Sequence, residues 1–443
     1  MTNCNRISIE FPALKSKNSV RKVTANFEGG HVSSDGGLLL LREADRRMGL
    51  TKELAGTLRD PRDQKFVVHD AISMLRQRLF GICQGYEDLN DHDRLKNDIL
   101  FQTAVDSAAP LASPSTLCRF EDWGGKRDTV FGMHKVFFEK FIESYSQPPA
   151  EIVLDFDGSD STVYGNQEGR FFHGHYDDYC FLPLFVTCGD HLLVSYLRQA
   201  NLDGAHHAWA ILKLLVFELR KRWPQTKIIF RADSGFCRPR MLNWCDRNKV
   251  DYVVGLPSNK RLVELAQAQV KQAKEEYERL GEKQKLYVDF LYQTMKTWSQ
   301  DRRVIAKAEY SELGANTRFV VTSLTEAPKE LYEDVYCARG DMENRIKEVQ
   351  TDMFATRTSC HEWWSNQLRI CMAGAAYVLM SGLRRLALAS TELATAQCST
   401  IRLKLLKVGA VIVRNTRRIK VMLSSCFPMH DIYLKAAQSL GAA

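Results

Sequence analysis

Three carboxylates, Asp155, Asp157 and Asp160, crowd the end of the apolar run EIVLDFDGSD at residues 151–160. Charges packed so closely at a buried strand end repel one another and resist desolvation, so something positive should offset them; a divalent metal is one candidate. Asp155 and Asp157 alternate with Phe156, which in an extended strand points both carboxylates to one face. A second acid, Asp233, closes the run IIFRAD and is followed by SGFCRP, whose Pro239 suits the first turn of a helix. An acid at the carboxyl end of a strand in an open α/β sheet lies where such folds bind ligands, although Asp233 taken alone also reads as a helix N-cap. The third group is in YCARGDMENRIKE, residues 336–348. Tyr336, Arg339, Glu343 and Lys347 are spaced by three, four and four, so one continuous helix would carry them on a single face within about 80°. The plainer reading is a solvated face with an Arg339–Glu343 ion pair worth about 0.3 to 0.5 kcal/mol, and Gly340 weakens the helix.

The elements that must position these groups follow from periodicity. Residues 38–146 repeat apolar residues at three and four, in GLLLLREADRRMGL, FVVHDAISMLRQRLFGI and TVFGMHKVFFEKFIESY, which predicts helices. Between them, Ser113 or Ser115 of LASPSTLCRFEDW could cap a short helix bearing Arg119, either as part of a small helical DNA-binding module or with Arg119 merely facing water. The middle changes period. EIVLDFD, FLPLFVTC, HLLVSYLRQ, TKIIFRAD and VDYVVGLP are short β-rich runs, and GAHHAWAILKLLVFELRKRW between the third and fourth predicts a helix. Gly189 and Asp190 in TCGDHL suit a tight hairpin turn. The order strand, strand, strand, helix, strand, helix, strand is that of a ribonuclease-H-like α/β fold. Residues 260–330, with the charged helix ELAQAQVKQAKEEYERLGEKQK and the strands RRVIAKAEY and RFVVTSL, read as an insertion within that core, because no Pro/Gly/Ser-rich hinge marks either border.

The expected plan is therefore an N-terminal helical DNA-binding region (1–148), the first part of the core (149–259), an insertion subdomain (260–330), the last part of the core (331–390) and a basic, helical C-terminal region (391–443). Composition agrees with two or three folded domains: 443 residues, 45% hydrophobic and 26% charged. The formal charge of +8 permits polyanion binding without proving it. Twelve scattered cysteines without a C-x-x-C pair read as reduced thiols. No signal-peptide core opens the chain, and the longest uncharged apolar run, ICMAGAAYVLMSGL, is shorter than the roughly 20 residues of a membrane span, so a cytoplasmic protein without a membrane partner is expected.

LDFDGSD, FRADSGF and YCARGDMENRIKE, in this order, resemble the three acidic motifs of bacterial insertion-sequence transposases of the DDE type. The third resembles the Tyr-x-x-Arg-x-x-x-Glu signature of one large branch. DGSDSTVYGNQEG together with RGDMENRIKE is similar to the group named after insertion sequence 1380. The resemblance spans residues 30–430. It implies a ribonuclease-H-like core in which Asp157, Asp233 and Glu343 hold two Mg²⁺ ions, with Mn²⁺ able to substitute. Asp157 in DGS is preferred as the first ligand, since the family's first acid commonly sits in an Asp-x-Thr or Asp-Gly-Thr setting, and Asp155 is the alternative. It also implies double-stranded DNA as partner, both element ends and target, a homodimer in a synaptic complex, and a nucleoid-associated location. Seventy-six residues separate Asp157 from Asp233 and 110 separate Asp233 from Glu343, room for the remaining strands and an insertion. Two departures stand out: Ser159 replaces the commoner Thr, and Gln350 stands seven after Glu343 where relatives often carry Lys, a role Lys347 could take.

Such chemistry needs no Ser or Cys nucleophile, because water or a DNA 3′-hydroxyl attacks while metal ions activate it and stabilise the leaving oxygen. Tyr336, Arg339, Lys347 and Arg345 would then hold DNA, with Arg119, Arg238 and Arg240 adding positive charge. IRLKLLKVGAVIVRNTRRIK, residues 401–420, has seven Lys or Arg and no acid, and reads as a phosphate track or a solvated basic face. Trp363 and Trp364 read as core rather than base-stacking residues. His173, His175, His206 and His207 lack the spacing of a zinc site. Two other activities remain open: a metal-dependent nuclease of the same fold, and a catalytically inactive, transposase-derived DNA-binding protein.

Overall fold

A computed structural model describes residues 8–17 and 19–442. The chain divides into two compact units, one of residues 50–62 and 119–381, the other of 1–49, 63–118 and 382–443. The first is built on one eight-stranded mixed sheet. Its strands in chain order are β1 (Glu151–Gly158), β2 (Leu184–Cys188), β3 (His191–Tyr196), β4 (Lys227–Ala232), β5 (Asp251–Leu256), β6 (Gln284–Tyr292), β7 (Arg302–Ser311) and β8 (Gly314–Thr322). Across the sheet the order is β6, β7, β8, β5, β4, β1, β2, β3. β4 runs parallel to both β1 and β5, whereas β2 and β3 form an antiparallel hairpin on the far side of β1. The parallel crossovers are helices, α1 (Ala208–Arg222) from β3 to β4 and α2 (Pro239–Arg247) from β4 to β5, as a parallel pair requires.

Residues 260–330 join this sheet rather than standing apart. β8 pairs antiparallel with β5, and β7 and β6 continue outward, so the segment extends the sheet by three strands. β6, KLYVDFLY in sequence, had no expected counterpart. A small three-stranded sheet of Ser161–Thr162, Phe171–His173 and Asp178–Phe181 also interrupts the chain between β1 and β2.

Strand alternation assigns the two sheet faces. Ile152, Leu154 and Phe156 of β1, Ile228, Phe230 and Ala232 of β4, and Tyr252 and Val254 of β5 pack in one large core with Leu212 and Leu219 of α1 and Leu242 of α2. The opposite face carries Val153, Ile229 and Val253, packed against Leu331, Tyr332, Val335 and Tyr336. Full burial of each large side chain contributes about 1.5–3 kcal/mol, which makes the register of these strands hard to shift. Helix Trp363–Leu383, continued by a π-turn to Leu388, is by length and composition apolar enough to cross a membrane, yet 83% of its most apolar window is buried within the protein.

The other unit departs from the helical expectation at both of its chain ends. Helices Leu38–Met48, Ala71–Gln84 and His430–Ser439 are present. Ile9–Ser16 and Ser19–Ala25, however, form an antiparallel ribbon, and His31–Ser33, Ala410–Arg414 and Ile419–Leu423 form a second sheet. The basic region 391–443 is thus not uniformly helical. The β-branched run Val411, Ile412, Val413 favours a strand, and Asn415 turns the chain by accepting from the amides of Arg417 and Arg418. Gly37 lies where a Cβ would stand 2.3 Å from the Leu406 Cα, a close approach only glycine permits. None of the described cysteines is in a disulfide.

Candidate active site

The face of the sheet that packs on residues 331–336 is also where the acids gather. In the aligned parallel strands Val153 pairs with Ile229 and Asp155 with Arg231, so Asp155 and Asp157 of β1, Arg231 and Asp233 at the end of β4, and Gly255 of β5 share this face. The third motif crosses above them. Leu331–Tyr336 is a π-turn, Cys337 and Ala338 stay right-handed helical, and α3 (Arg339–Lys347) follows without a break before a second π-turn, Glu348–Asp352. Gly340 does not interrupt it. π-turns inside helices often mark functional sites.

Asp155 is buried, and the Arg231 guanidinium donates to both of its carboxylate oxygens, at 2.5 Å and 2.7 Å. The third arm of Arg231 donates to the Val335 carbonyl at 2.5 Å, tying the third motif to the sheet. Burial nevertheless pushes the Asp155 carboxyl above the usual range against the pull of Arg231. The pair is a sealed one, with side chains 9% and 4% exposed.

Two residues along β1 the arrangement is different. Asp157 is half-buried, accepts from the Gly158 amide at 2.9 Å, and takes a bond from Arg339 Nη1 at 2.8 Å. The other nitrogen of the same guanidinium donates to Glu343 Oε1 at 2.6 Å. The i,i+4 ion pair read from the sequence is therefore present, but it extends across to the sheet. Burial raises the Asp157 carboxyl to about 6, Arg339 opposes that, and the negative charges of Asp233 and Glu343 add to it. Asp233 caps the turn Ser234–Phe236, its Oδ1 accepting from the Gly235 amide at 2.9 Å, so the cap reading holds alongside its place near Asp157. Tyr336 lies over β5, where a Cβ on Gly255 would stand 2.7 Å from its hydroxyl and 2.8 Å from the Ser234 amide. Burial pushes the Tyr336 hydroxyl up, and Asp233 does so further. Glycine in a strand interior here reflects that close approach.

The other residues singled out in the sequence do not gather at this point. Arg345 pairs with Glu348 and Asp190, Arg238 pairs with Asp203 at 2.7 Å, and the Arg240 guanidinium stacks 3.7 Å over the Trp209 ring. Lys347 is exposed in the last turn of α3, and Arg119 is exposed on helix Pro114–Gly124. Trp363 and Trp364 are both partly buried, Trp363 edge-on to Phe181. Two departures from the family pattern meet each other. The Gln350 amide donates to Ser159 Oγ at 2.9 Å and to the Asp160 carbonyl at 3.1 Å, fastening the end of the third motif to the loop after Asp157. Arg231 and Gly255 were missed from the sequence. Arg231 stands two before Asp233 and hence on its face, but only strand register brings it to Asp155. Arg198 was missed as well: buried, bonded to the carbonyls of Leu182 and His206, and with its Nη2 2.9 Å from where a Gly158 Cβ would be.

Asp157, Asp233 and Glu343 offer oxygen donors only, the set preferred by a hard divalent cation, so their chemistry fits Mg²⁺ or Mn²⁺. Among the described residues no three His, Cys, Asp or Glu side chains stand close enough together to hold a metal ion as they are. Arg339 places a positive charge between Asp157 and Glu343.

A family model described as "Transposase DDE domain group 1" matches residues 15–443. No curated protein matches the sequence. Among solved structures, a chain of the cryo-EM structure of the piggyBac transposase synaptic complex with hairpin DNA aligns with a TM-score of 0.43 at 12% sequence identity, covering 84% of this chain and 80% of that one.

Proposed function

The chain belongs to the transposase DDE domain group 1 family, and on that premise we propose that it is the DNA transposase of a bacterial insertion sequence in the Tyr-x-x-Arg-x-x-x-Glu branch, close to the group of insertion sequence 1380. It would bind the terminal inverted repeats of its element and catalyse their cleavage and strand transfer. The observation that carries this reading is the meeting of Asp157 and Glu343 on one guanidinium, with the charge of Asp233 acting on Asp157. Residues 182 and 186 positions apart in sequence are otherwise hard to bring to one face. The strand order β3, β2, β1, β4, β5 supports a ribonuclease-H-like core, whose β8, β7 and β6 are an added edge.

Asp157, Asp233 and Glu343 would hold the divalent ions. Bound there, the ions supply Lewis-acid stabilisation and a stronger oxygen nucleophile. The chain's own groups do the positioning. The Asp233 cap holds that carboxylate at the strand end, and Gln350 holds the loop that follows Asp157. Arg231 neutralises Asp155, which leaves Asp155 as a structural partner rather than a ligand in this proposal. Tyr336, Arg339 and Lys347 face the DNA near the cleavage point, and the basic hairpin around Arg414, Arg417, Arg418 and Lys420 adds phosphate contacts. Synapsis of two ends implies a homodimer at work in the cytoplasm.

Asp233→Asn tests the site cleanly. Asparagine caps a helical turn about as well as aspartate, so the fold should persist while a negative oxygen donor disappears. The variant is expected to melt like wild type and to bind DNA carrying the element ends, but to give neither cleaved nor joined product with Mg²⁺ or Mn²⁺. Wild-type turnover would remove Asp233 from the assignment, and cleavage without joining by the wild-type protein would favour a nuclease.

A further inference from the structure

The strand that opens the site carries two aspartate–arginine pairs in one row, and they differ in the property that decides whether a pair can be exchanged. Arg231 and Asp155 are sealed, 9% and 4% exposed, with every arm of the guanidinium committed to Asp155 or Val335. Arg339 is 18% exposed, Asp157 16% and Glu343 47%, so water reaches the second pair and its far acid lies in high dielectric. The exposed Arg339–Glu343 arm is of the kind that holds weakly, and the partly buried Arg339–Asp157 arm is exchanged only for a partner that also offers charge-assisted hydrogen bonds. Arg339 has the charge and the bidentate fork that suit a DNA phosphate at least as well as two carboxylates. It is also the group that now compensates the acids proposed to hold the metal.

We propose that Arg339 is an exchangeable counter-cation. In the DNA-free protein it bridges Asp157 and Glu343 and so opposes divalent ions at those acids. When DNA binds, a backbone phosphate draws the guanidinium away, releasing both carboxylates to the metal. Metal loading is thereby coupled to DNA binding, and the coupling is reciprocal: the metal strengthens DNA binding by the same factor that DNA strengthens metal binding. This inference rests on the reading of Asp157, Asp233 and Glu343 as metal-holding acids. It assigns Arg339 a second, DNA-free partner set in addition to its proposed DNA contact, and no covalent step is involved.

The test is a Mn²⁺ titration followed by electron paramagnetic resonance, on the full-length wild-type protein and on Arg339→Gln, Arg339→Lys and Glu343→Gln, each with and without a catalytically blunt DNA duplex lacking a cleavable end. Circular dichroism establishes that each variant is folded. Without DNA, Arg339→Gln should bind Mn²⁺ about tenfold more tightly than wild type, a coupling of ordinary size, with Arg339→Lys between the two. The duplex should tighten Mn²⁺ binding in wild type and do so much less in Arg339→Gln. Equal or weaker Mn²⁺ binding by folded Arg339→Gln without DNA, while Glu343→Gln binds more weakly than wild type, would overturn the counter-cation role and leave the metal site standing. If Glu343→Gln binds Mn²⁺ as wild type does, the metal lies elsewhere, and the site reading falls together with the inference built on it.

Discussion

Asparagine at position 155 and at position 157 should give opposite results, although the two acids lie on the same face of one strand. In Asp155→Asn the Arg231 guanidinium loses its charged partner inside a region where both side chains are less than a tenth exposed. Breaking a buried pair from one side costs roughly 3–5 kcal/mol, because the remaining charge stays desolvated. Asparagine keeps one oxygen able to accept from Arg231, so the lower end, about 3 kcal/mol, is expected. For a unit of this size that corresponds to a melting temperature lower by roughly 6–12 °C. The loss also loosens the tether from Arg231 to the Val335 carbonyl and so the turn that carries Tyr336 and Arg339. Asp157→Asn removes a carboxylate that burial and two neighbouring acids already disfavour, at the expense of one partly buried contact with Arg339; the two effects offset, and the variant should stay within about 1 kcal/mol of wild type.

Thermal melting followed by circular dichroism, together with cleavage of DNA bearing the element ends, separates the cases. Asp155→Asn should melt early and keep cleavage at temperatures where it is folded; Asp157→Asn should melt normally and lose cleavage. Converting both partners to apolar groups, Asp155→Leu with Arg231→Met, should recover most of the stability lost by the single change, since no buried charge then remains. An Asp155→Asn protein that melts within about 2 °C of wild type yet cleaves nothing would refute the reasoning and make Asp155 the reactive acid.

Three further outcomes follow from single contacts. His92 is fully buried between Gln77 and Arg78, and burial, reinforced by the Arg78 charge, pushes it down to about 3. The unfolded chain takes up that proton first, near pH 6.5, so stability is whole above that value and falls at about 1.4 kcal/mol per pH unit as pH drops towards 3. The urea midpoint between pH 7 and 4 should therefore fall less steeply in His92→Gln than in wild type, and parallel slopes would contradict this. Gly255→Ala places a methyl 2.7 Å from the Tyr336 hydroxyl and 2.8 Å from the fixed Ser234 amide; about 1–3 kcal/mol of strain and weakened end cleavage are expected from melting and activity assays. Gln350→Ala removes two hydrogen bonds to the loop after Asp157 and should cost about 1–2 kcal/mol in urea unfolding, with the DNA-independent Mn²⁺ affinity reduced as that loop loosens.

What the sequence disclosed was local. The alternation Asp155, Phe156, Asp157 and the order of strands and helices from 151 to 256 could be read because each is a pattern within a few residues, and the face they predict is the one observed. What it hid was register and edge pairing. Nothing near Arg231 tells that a parallel neighbour aligns it with Asp155, and nothing in residues 260–330 tells that β8 continues the sheet at β5 rather than closing a separate subdomain. The basic stretch 401–420 misled for a related reason. It reads as part of a helical C-terminal region, whereas the short β-branched run and the Asn415 turn decide the backbone, and the partner strand His31–Ser33 is nearly 380 residues away in sequence.

The crowding of acids at the end of β1 resolves into two electrostatic solutions side by side. A carboxylate at position 155 can be tolerated in the interior because Arg231 donates to both of its oxygens, and the same guanidinium fastens the third motif over the sheet through the Val335 carbonyl. A carboxylate at position 157 has a partner it shares with Glu343 and with solvent. The difference lies in depth rather than in chemistry, since both partners are arginines. A site that exchanges cations needs its acids held in place while their counter-charge is not, and the Asp155–Arg231 pair supplies the first condition two residues from where Arg339 supplies the second.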